Sequence, residues 1–279
     1  MTITKDAVYL KNAEIRSSKQ EPHIPSKVQA DTLFTFTTQV EFLITSIKNR
    51  MISPRYCEEN LKYLNISGIE RIAFPMKCFC DINMHKLNDH LSWYGYYGLA
   101  FSKEWGMKRR IQPIQYMNPN SYLCKDFSEA FSAALSEKTG NPSGAVKKMK
   151  NALLHQLMYY KPYSGPFTNR NTKQVESKCF TDECEWRFVP DVTPLGYAQA
   201  YFDEQILNSG GLLKYSNSME GRKEISLEFQ YSDLKYIIVK THEDFADLMN
   251  AIDSLKLEKN TERELVSKII IWDNAKGDF

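Results

Sequence analysis

The sequence predicts an α+β fold: a mixed β-sheet flanked by helices. Three observations lead there. Runs rich in β-branched and aromatic residues recur at 32–37, 184–189 and 236–239, which suits half-buried strands. Between them lie stretches whose apolar residues recur at helical spacing. The two kinds of segment are interspersed without a steady strand–helix–strand rhythm, and no internal repeat is visible, so a mixed sheet is the natural architecture.

Residues 1–30 are polar and aperiodic, are interrupted by Pro22 and Pro25, and read as an extended N-terminal arm with one short strand over 7–10. Residues 31–279 then make a single α+β domain. Its first firm element is the strand at 32–37, and a helix follows at once. Thr38 and Glu41 form a capping box, Val40, Leu43, Ile44, Ile47 and Met51 share one face, and Pro54 stops it. Residues 76–80 form a short strand, and Asp81 behind it is placed to cap a helix over 83–93. The run Tyr94-Gly95-Tyr96-Tyr97-Gly98-Leu99-Ala100-Phe101 reads as a strand whose glycines mark a bulge or the close approach of another backbone or a ligand. A short helix over 102–110 and a strand over 113–117 lead into a predominantly helical stretch, 121–160. A turn at 139–144 makes that stretch a helical hairpin. Residues 184–189 alternate and end at Pro190, whereas 191–222 read as irregular. Strands at 225–229 and 236–239 follow. Thr241 and Asp244 cap a helix with Phe245, Leu248, Met249 and Ile252 along one side, and Thr261 with Glu264 opens a last capped segment before Ile269 to Trp272.

With 279 residues, 42% hydrophobic and 25% charged, the chain can bury a sizeable core. Its longest apolar runs are strand-sized, short of the roughly 18 residues that cross a membrane. The first 30 residues lack the apolar centre of a secretion signal. A cytoplasmic protein without membrane contact is expected. A net charge of +2 does not by itself imply nucleic acid. Basic residues do cluster, at Lys147, Lys148 and Lys150 and at Lys108, Arg109 and Arg110. Such clusters are usually solvated helix faces, and the second is the candidate nucleic-acid patch. Among the six cysteines, one residue separates Cys78 from Cys80 and four separate Cys179 from Cys184, which is not the spacing of a zinc site. Free buried thiols and no metal are expected. Phosphate-loop, dinucleotide-fingerprint, HExxH and GxSxG motifs are absent, so generic signatures call for no cofactor.

Four segments stand out together. The first is Leu33-Phe34-Thr35-Phe36-Thr37 with its helix and Ser53-Pro54-Arg55-Tyr56, and the second is Phe74-Pro75-Met76-Lys77-Cys78-Phe79-Cys80-Asp81-Ile82. The third is His90 followed by the glycine–tyrosine run and Ser102-Lys103-Glu104-Trp105-Gly106. The fourth is Phe180-Thr181-Asp182-Glu183-Cys184-Glu185-Trp186-Arg187-Phe188-Val189-Pro190. In this order they resemble the AbiGi family of abortive phage-resistance proteins, with a fainter match from the Tyr236 strand to Asp278-Phe279. The resemblance implies the antitoxin of a two-gene abortive-infection system. Such a protein acts by binding or regulating a partner, a nucleotidyltransferase-like toxin encoded next door.

The same residues allow an enzyme. An early strand with a polar signature, a middle glycine–aromatic strand and a late strand carrying Glu are similar to the layout of ADP-ribosyltransferases, in which NAD lies across a split sheet. That resemblance would make Glu185 the catalytic carboxylate and set Tyr94 or Tyr97 against nicotinamide. Arg55 or Arg187 would meet a phosphate. Thr35 would stand as ribose ligand where related first strands usually offer His. The alternative is structural. In a strand, Glu183, Glu185 and Arg187 share one face and Trp186 and Phe188 the other, so a Glu185–Arg187 pair can be a satisfied polar layer beside the core.

Overall fold

The computed structural model describes residues 23–136, 144–169, 174–196, 207 and 210–278. The strand expected at 7–10, and all but the last residue of the turn expected at 139–144, lie outside them. β1 (Thr32–Thr37) is the central strand. It pairs antiparallel with β5 (Tyr97–Ser102) over its whole length, from Thr32 opposite Ser102 to Thr37 opposite Tyr97. Beyond β5 come β13 (Leu234–Val239), antiparallel, and β14 (Ile269–Ile271), parallel to β13. On the other side of β1 lie β4 (Arg71–Cys80), β11 (Glu185–Phe188) and β6 (Gln112–Pro113). The sheet is therefore mixed, with helices packed on it, and the fold is α+β as the sequence predicts. Three small sheets accompany it: β2 (Met51–Ile52) with β12 (Leu227–Glu228), β7 (Gln115–Met117) with β8 (Tyr160–Pro162), and β9 (Ser164–Thr168) with β10 (Val175–Cys179).

The main sheet opens between β1 and β4. The two strands share a single registered pair, Phe34 with Cys80, and next to it the Thr35 hydroxyl donates to the Cys78 carbonyl at 2.9 Å. From there β1 leads away into α1 (Val40–Asn49), and β3 (Arg55–Asn60) takes over β4 from Met76 onward. Residues two apart in a strand present their peptide groups to one edge, so Cys78 and Met76 share an edge. The Tyr56 N–H turns away from β4 to Ser216 Oγ at 3.0 Å, which leaves Arg55 as the residue bonded across to Met76. This register also accommodates Pro75, whose missing N–H would face the edge that β11 does not reach.

Alternation along the strands sorts side chains onto two faces. Leu33, Leu99, Phe101, Ile237 and Val239 point to one side, where they pack on Leu43 and Ile47 of α1 and on Leu248 and Ile252 of α7 (His242–Ser254). Phe34, Cys80, Ala100 and Ile238 point to the other, against Leu87 and Leu91 of α2 (Leu87–Tyr94) and Trp272. Farther along β4 on that second face, Ile72, Phe74 and Met76 pack on α4 (Tyr122–Ser136) and α5 (Gly144–Met158). Each such large apolar side chain contributes about 1.5–3 kcal/mol by leaving water. The Thr241–Asp244 capping box forms as expected, with Asp244 N–H donating to Thr241 Oγ at 3.2 Å and Thr241 N–H to Asp244 Oδ2 at 2.8 Å.

Several boundaries differ from expectation. The chain stays extended through Gln39, so Thr38 precedes the cap position and makes no capping bond with α1. Asp81 caps no helix. Its Oδ2 turns inward to Lys103 Nζ at 2.6 Å, because a carboxylate only 2% exposed needs a counter-charge, and α2 starts later, at Leu87. Tyr94 ends α2 rather than opening a strand. Gly95, at φ +107°, is where α2 passes the end of β1: a Cβ there would lie 2.2 Å from the Thr37 carbonyl oxygen. The supposedly irregular 191–222 holds α6 (Gly211–Met219), and the strand expected at 225–229 shrinks to β12. The helix before β14, α8 (Lys259–Val266), is capped by Glu258, whose carboxylate accepts from the N–H groups of Asn260 and Thr261, and not by Thr261 itself. None of the six cysteines is in a disulfide. Cys80 and Cys124 are buried, while Cys57, Cys78, Cys179 and Cys184 are only partly so.

Candidate functional site

The second face of the sheet carries a buried ionic layer. Glu185, on β11 opposite Cys80, sits between two cations: Arg187 Nε lies 2.7 Å from Oε1, and Lys161 Nζ of β8 lies 2.9 Å from Oε2. Arg187 reaches on to Glu59 Oε1 of β3 at 2.8 Å and to the Met158 carbonyl at 2.7 Å, so each of its three guanidinium nitrogens donates a hydrogen bond. Lys161 also meets Glu183 Oε2 at 2.6 Å, and Lys178 of β10 meets Glu183 Oε1 at 2.8 Å. The Tyr94 hydroxyl donates to the same Glu183 oxygen and accepts from Lys178 at 2.9 Å. The Lys178 ammonium lies over the rings of Tyr94, Trp93 and Phe167, at 4.3, 4.6 and 5.1 Å. Three carboxylates thus face three cations, and Arg187, Glu183, Glu185 and Lys161 are all buried.

The charges hold one another in place. Burial alone would raise the Glu185 carboxyl, but Arg187 and Lys161 outweigh it and keep it well below the usual carboxylate range. Burial would lower Lys161, yet Glu185, Glu59 and Glu183 hold its ammonium above the ordinary value. At the rim, burial raises Glu59 against the pull of Arg187, pushes the Tyr94 phenol up and brings His90 down to about 4. The His90 ring lies 4.6 Å from that of Tyr94. A carboxylate held like Glu185 serves the fold as a fixed counter-charge.

The remaining expected site residues lie elsewhere. Thr35 and Tyr97 belong to the opposite face of the sheet from Glu185, Arg187 and Tyr94, so the structure divides the NAD-binding set in two. Thr35, Tyr97 and Arg55 line a cleft of about 380 Å³ at the opening between β1 and β4. There the Tyr97 hydroxyl donates to Asp244 Oδ1 at 3.1 Å, and burial followed by this bond pushes its phenol up to about 12. Arg55 donates to Asn217 Oδ1 at 3.4 Å. The basic patch closes α3 (Lys103–Lys108): Lys108 pairs with Glu104 at 2.7 Å, Arg109 lies 5.7 Å over the Trp105 ring, and Arg110 turns the chain at φ 63°. Sequence reasoning missed Glu59, Lys161 and Lys178 in the ionic layer and Lys77 in the cleft. Two buried acids, Glu183 and Glu185, spaced two apart beside a single Arg were a signal that further cations had to come from elsewhere in the chain.

Among the described residues, no helix is long and apolar enough to cross a membrane. No solved structure was found to match the chain. Over residues 49–240 the chain matches the family model described as "Putative abortive phage resistance protein AbiGi, antitoxin". An abortive phage resistance protein AbiGi of Lactococcus lactis subsp. cremoris is 32% identical over 246 residues, spanning 81% of this chain and 98% of that protein. The matched span holds all six residues of the ionic layer as well as Arg55 and Lys77 of the cleft, and with both matches covering most of its length, the chain belongs to the AbiGi family of abortive phage resistance proteins.

Proposed function

We propose that this chain is the antitoxin of a two-gene abortive-infection system, that it works in the bacterial cytoplasm, and that it acts by binding a toxin protein encoded beside it. The observation that carries this reading is the family match, whose description names the antitoxin. The placement of Glu185 supports binding over catalysis, since both of its oxygens are engaged by Lys161 and Arg187 in a buried layer. Freeing that carboxylate for chemistry would leave Lys161 to Glu183 and Arg187 to Glu59, with one buried positive charge in excess.

The test is growth of a bacterial host expressing this chain alone, the neighbouring gene alone, and the two together. The expected result is a harmless chain, a toxic neighbour, and restored growth with a complex that co-purifies. Toxicity of this chain by itself, or no protection against a toxic neighbour, refutes the proposal.

A further inference from the structure

Where β1 leaves β4, the sheet presents a cleft whose lining is chemically uneven. One side is apolar, formed by Phe42 and Leu43 of α1 with Met51 and Ile52 of β2. Phe42 is 45% exposed, an uncovered aromatic face at the mouth. The other side carries two cations, Arg55 at the start of β3 and Lys77 of β4. Hydroxyls of Thr37, Ser53 and Ser216 lie between and around these walls. Among the described lining residues, Glu220 is the single carboxylate beside these two cations.

Backbone adds to this. β1 is registered with β5 at six positions but with β4 only at Phe34, so among the described residues no strand pairs with the cleft edge of its C-terminal half. Arg55 is exposed, and its hydrogen bond is to the neutral Asn217. The volume, about 380 Å³, falls within the range of small-molecule sites, roughly 300–1,000 Å³.

An aromatic and apolar wall facing two cations and several hydroxyls is complementary to a planar base joined through a sugar to phosphate. We infer that this cleft binds a nucleotide. The phosphates lie between Arg55 and Lys77, the base packs on Phe42 and the β2 side chains, and Glu220 accepts from the ribose hydroxyls. Arg55 is the principal determinant, because its planar fork matches phosphate and its charge reaches solvent. This site is separate from the ionic layer, requires no reaction, and does not depend on the antitoxin reading. A nucleotide held here would sit against α1 and α6 together, making the spacing of those helices sensitive to a small molecule.

The experiment is isothermal titration calorimetry of the purified full chain with ADP, adenosine and inorganic phosphate. Wild type is compared with Arg55→Gln, Lys77→Gln and, outside the cleft, Arg109→Gln, and each variant's thermal melt is recorded to verify folding. ADP is expected to bind saturably and more tightly than adenosine or phosphate. Losing one charge-assisted contact should weaken ADP by about tenfold or more, with Arg109→Gln unchanged. Arg55→Gln carries the decision should Lys77→Gln misfold, since Arg55 is on the surface. Absence of saturable ADP binding, ADP binding untouched by Arg55→Gln, or phosphate binding as tightly as ADP would each overturn the inference.

Discussion

Replacing Glu185 by Gln keeps the shape of the side chain and removes one charge from the middle of the ionic layer. In the native protein three carboxylates balance three cations there, and Arg187 is completely inaccessible while Glu185 is 5% exposed. The variant leaves Lys161 with Glu183 and Arg187 with Glu59, one net positive charge in excess. Breaking a buried pair from one side costs about 3–5 kcal/mol, because the remaining charge stays desolvated. That is a large part of the roughly 5–15 kcal/mol that holds a typical protein together. With a urea dependence of about 3 kcal/mol per molar, the unfolding midpoint should fall by more than about 1 M. Circular dichroism across a urea series reads this directly. Lys161→Met in the same background restores the balance, so the double variant should lose less than the sum of the singles by about 1–3 kcal/mol. An unchanged midpoint for Glu185→Gln, or strictly additive losses, would mean that the layer is not coupled and that Glu185 is available for another task.

Stability should also depend on pH above the carboxylate range. Burial holds His90 down to about 4, against an ordinary 6.5, so between those values the unfolded chain binds a proton that the folded one refuses. Its contribution is complete above pH 6.5 and is lost as pH falls toward 4, reaching about 2 kcal/mol by pH 5. His155, also lowered by burial, adds to the slope. Urea midpoints at pH 7 and pH 5 should therefore differ, and His90→Gln should remove most of the difference; an equal slope in the variant would refute the assignment. Gly95→Ala combines a left-handed φ with a Cβ that would sit 2.2 Å from the Thr37 carbonyl oxygen. It should cost at least about 2 kcal/mol, read as a lower melting temperature, because backbone on both sides of the contact must shift. An unchanged melting temperature would show that the α2–β1 approach is looser than this geometry requires.

Much of this protein was legible along the chain. β1, β11, β13, the capped α7, the short α3 and the paired helices α4 and α5 follow from alternation, helical spacing and cap chemistry, all of which act within a few residues. The family was legible too, in the ordered motifs around Thr35, Lys77, Gly95 and Glu185. So was the possibility that Glu185 and Arg187 form a polar layer, since residues two apart in a strand share a face. Tertiary structure decided the rest. Lys161, Glu59 and Lys178 join the layer from β8, β3 and β10, and no local pattern marks a lysine as destined to be 7% exposed like Lys161. Asp81 looked like a helix cap because its neighbours permit one, but β4 delivers it to Lys103 inside the protein, where an ion pair outweighs a surface cap. Tyr94 and Tyr97 are three residues apart in one motif, yet the sharp turn at Gly95 sends them to opposite faces of the sheet. Thr35 and Glu185, which one ligand would have to bridge, are likewise divided by strand register. Local chemistry selects elements because its range is a turn or a pleat, whereas a site is assembled by the pairing of strands far apart in the chain, and a shift of one residue in that pairing exchanges the faces.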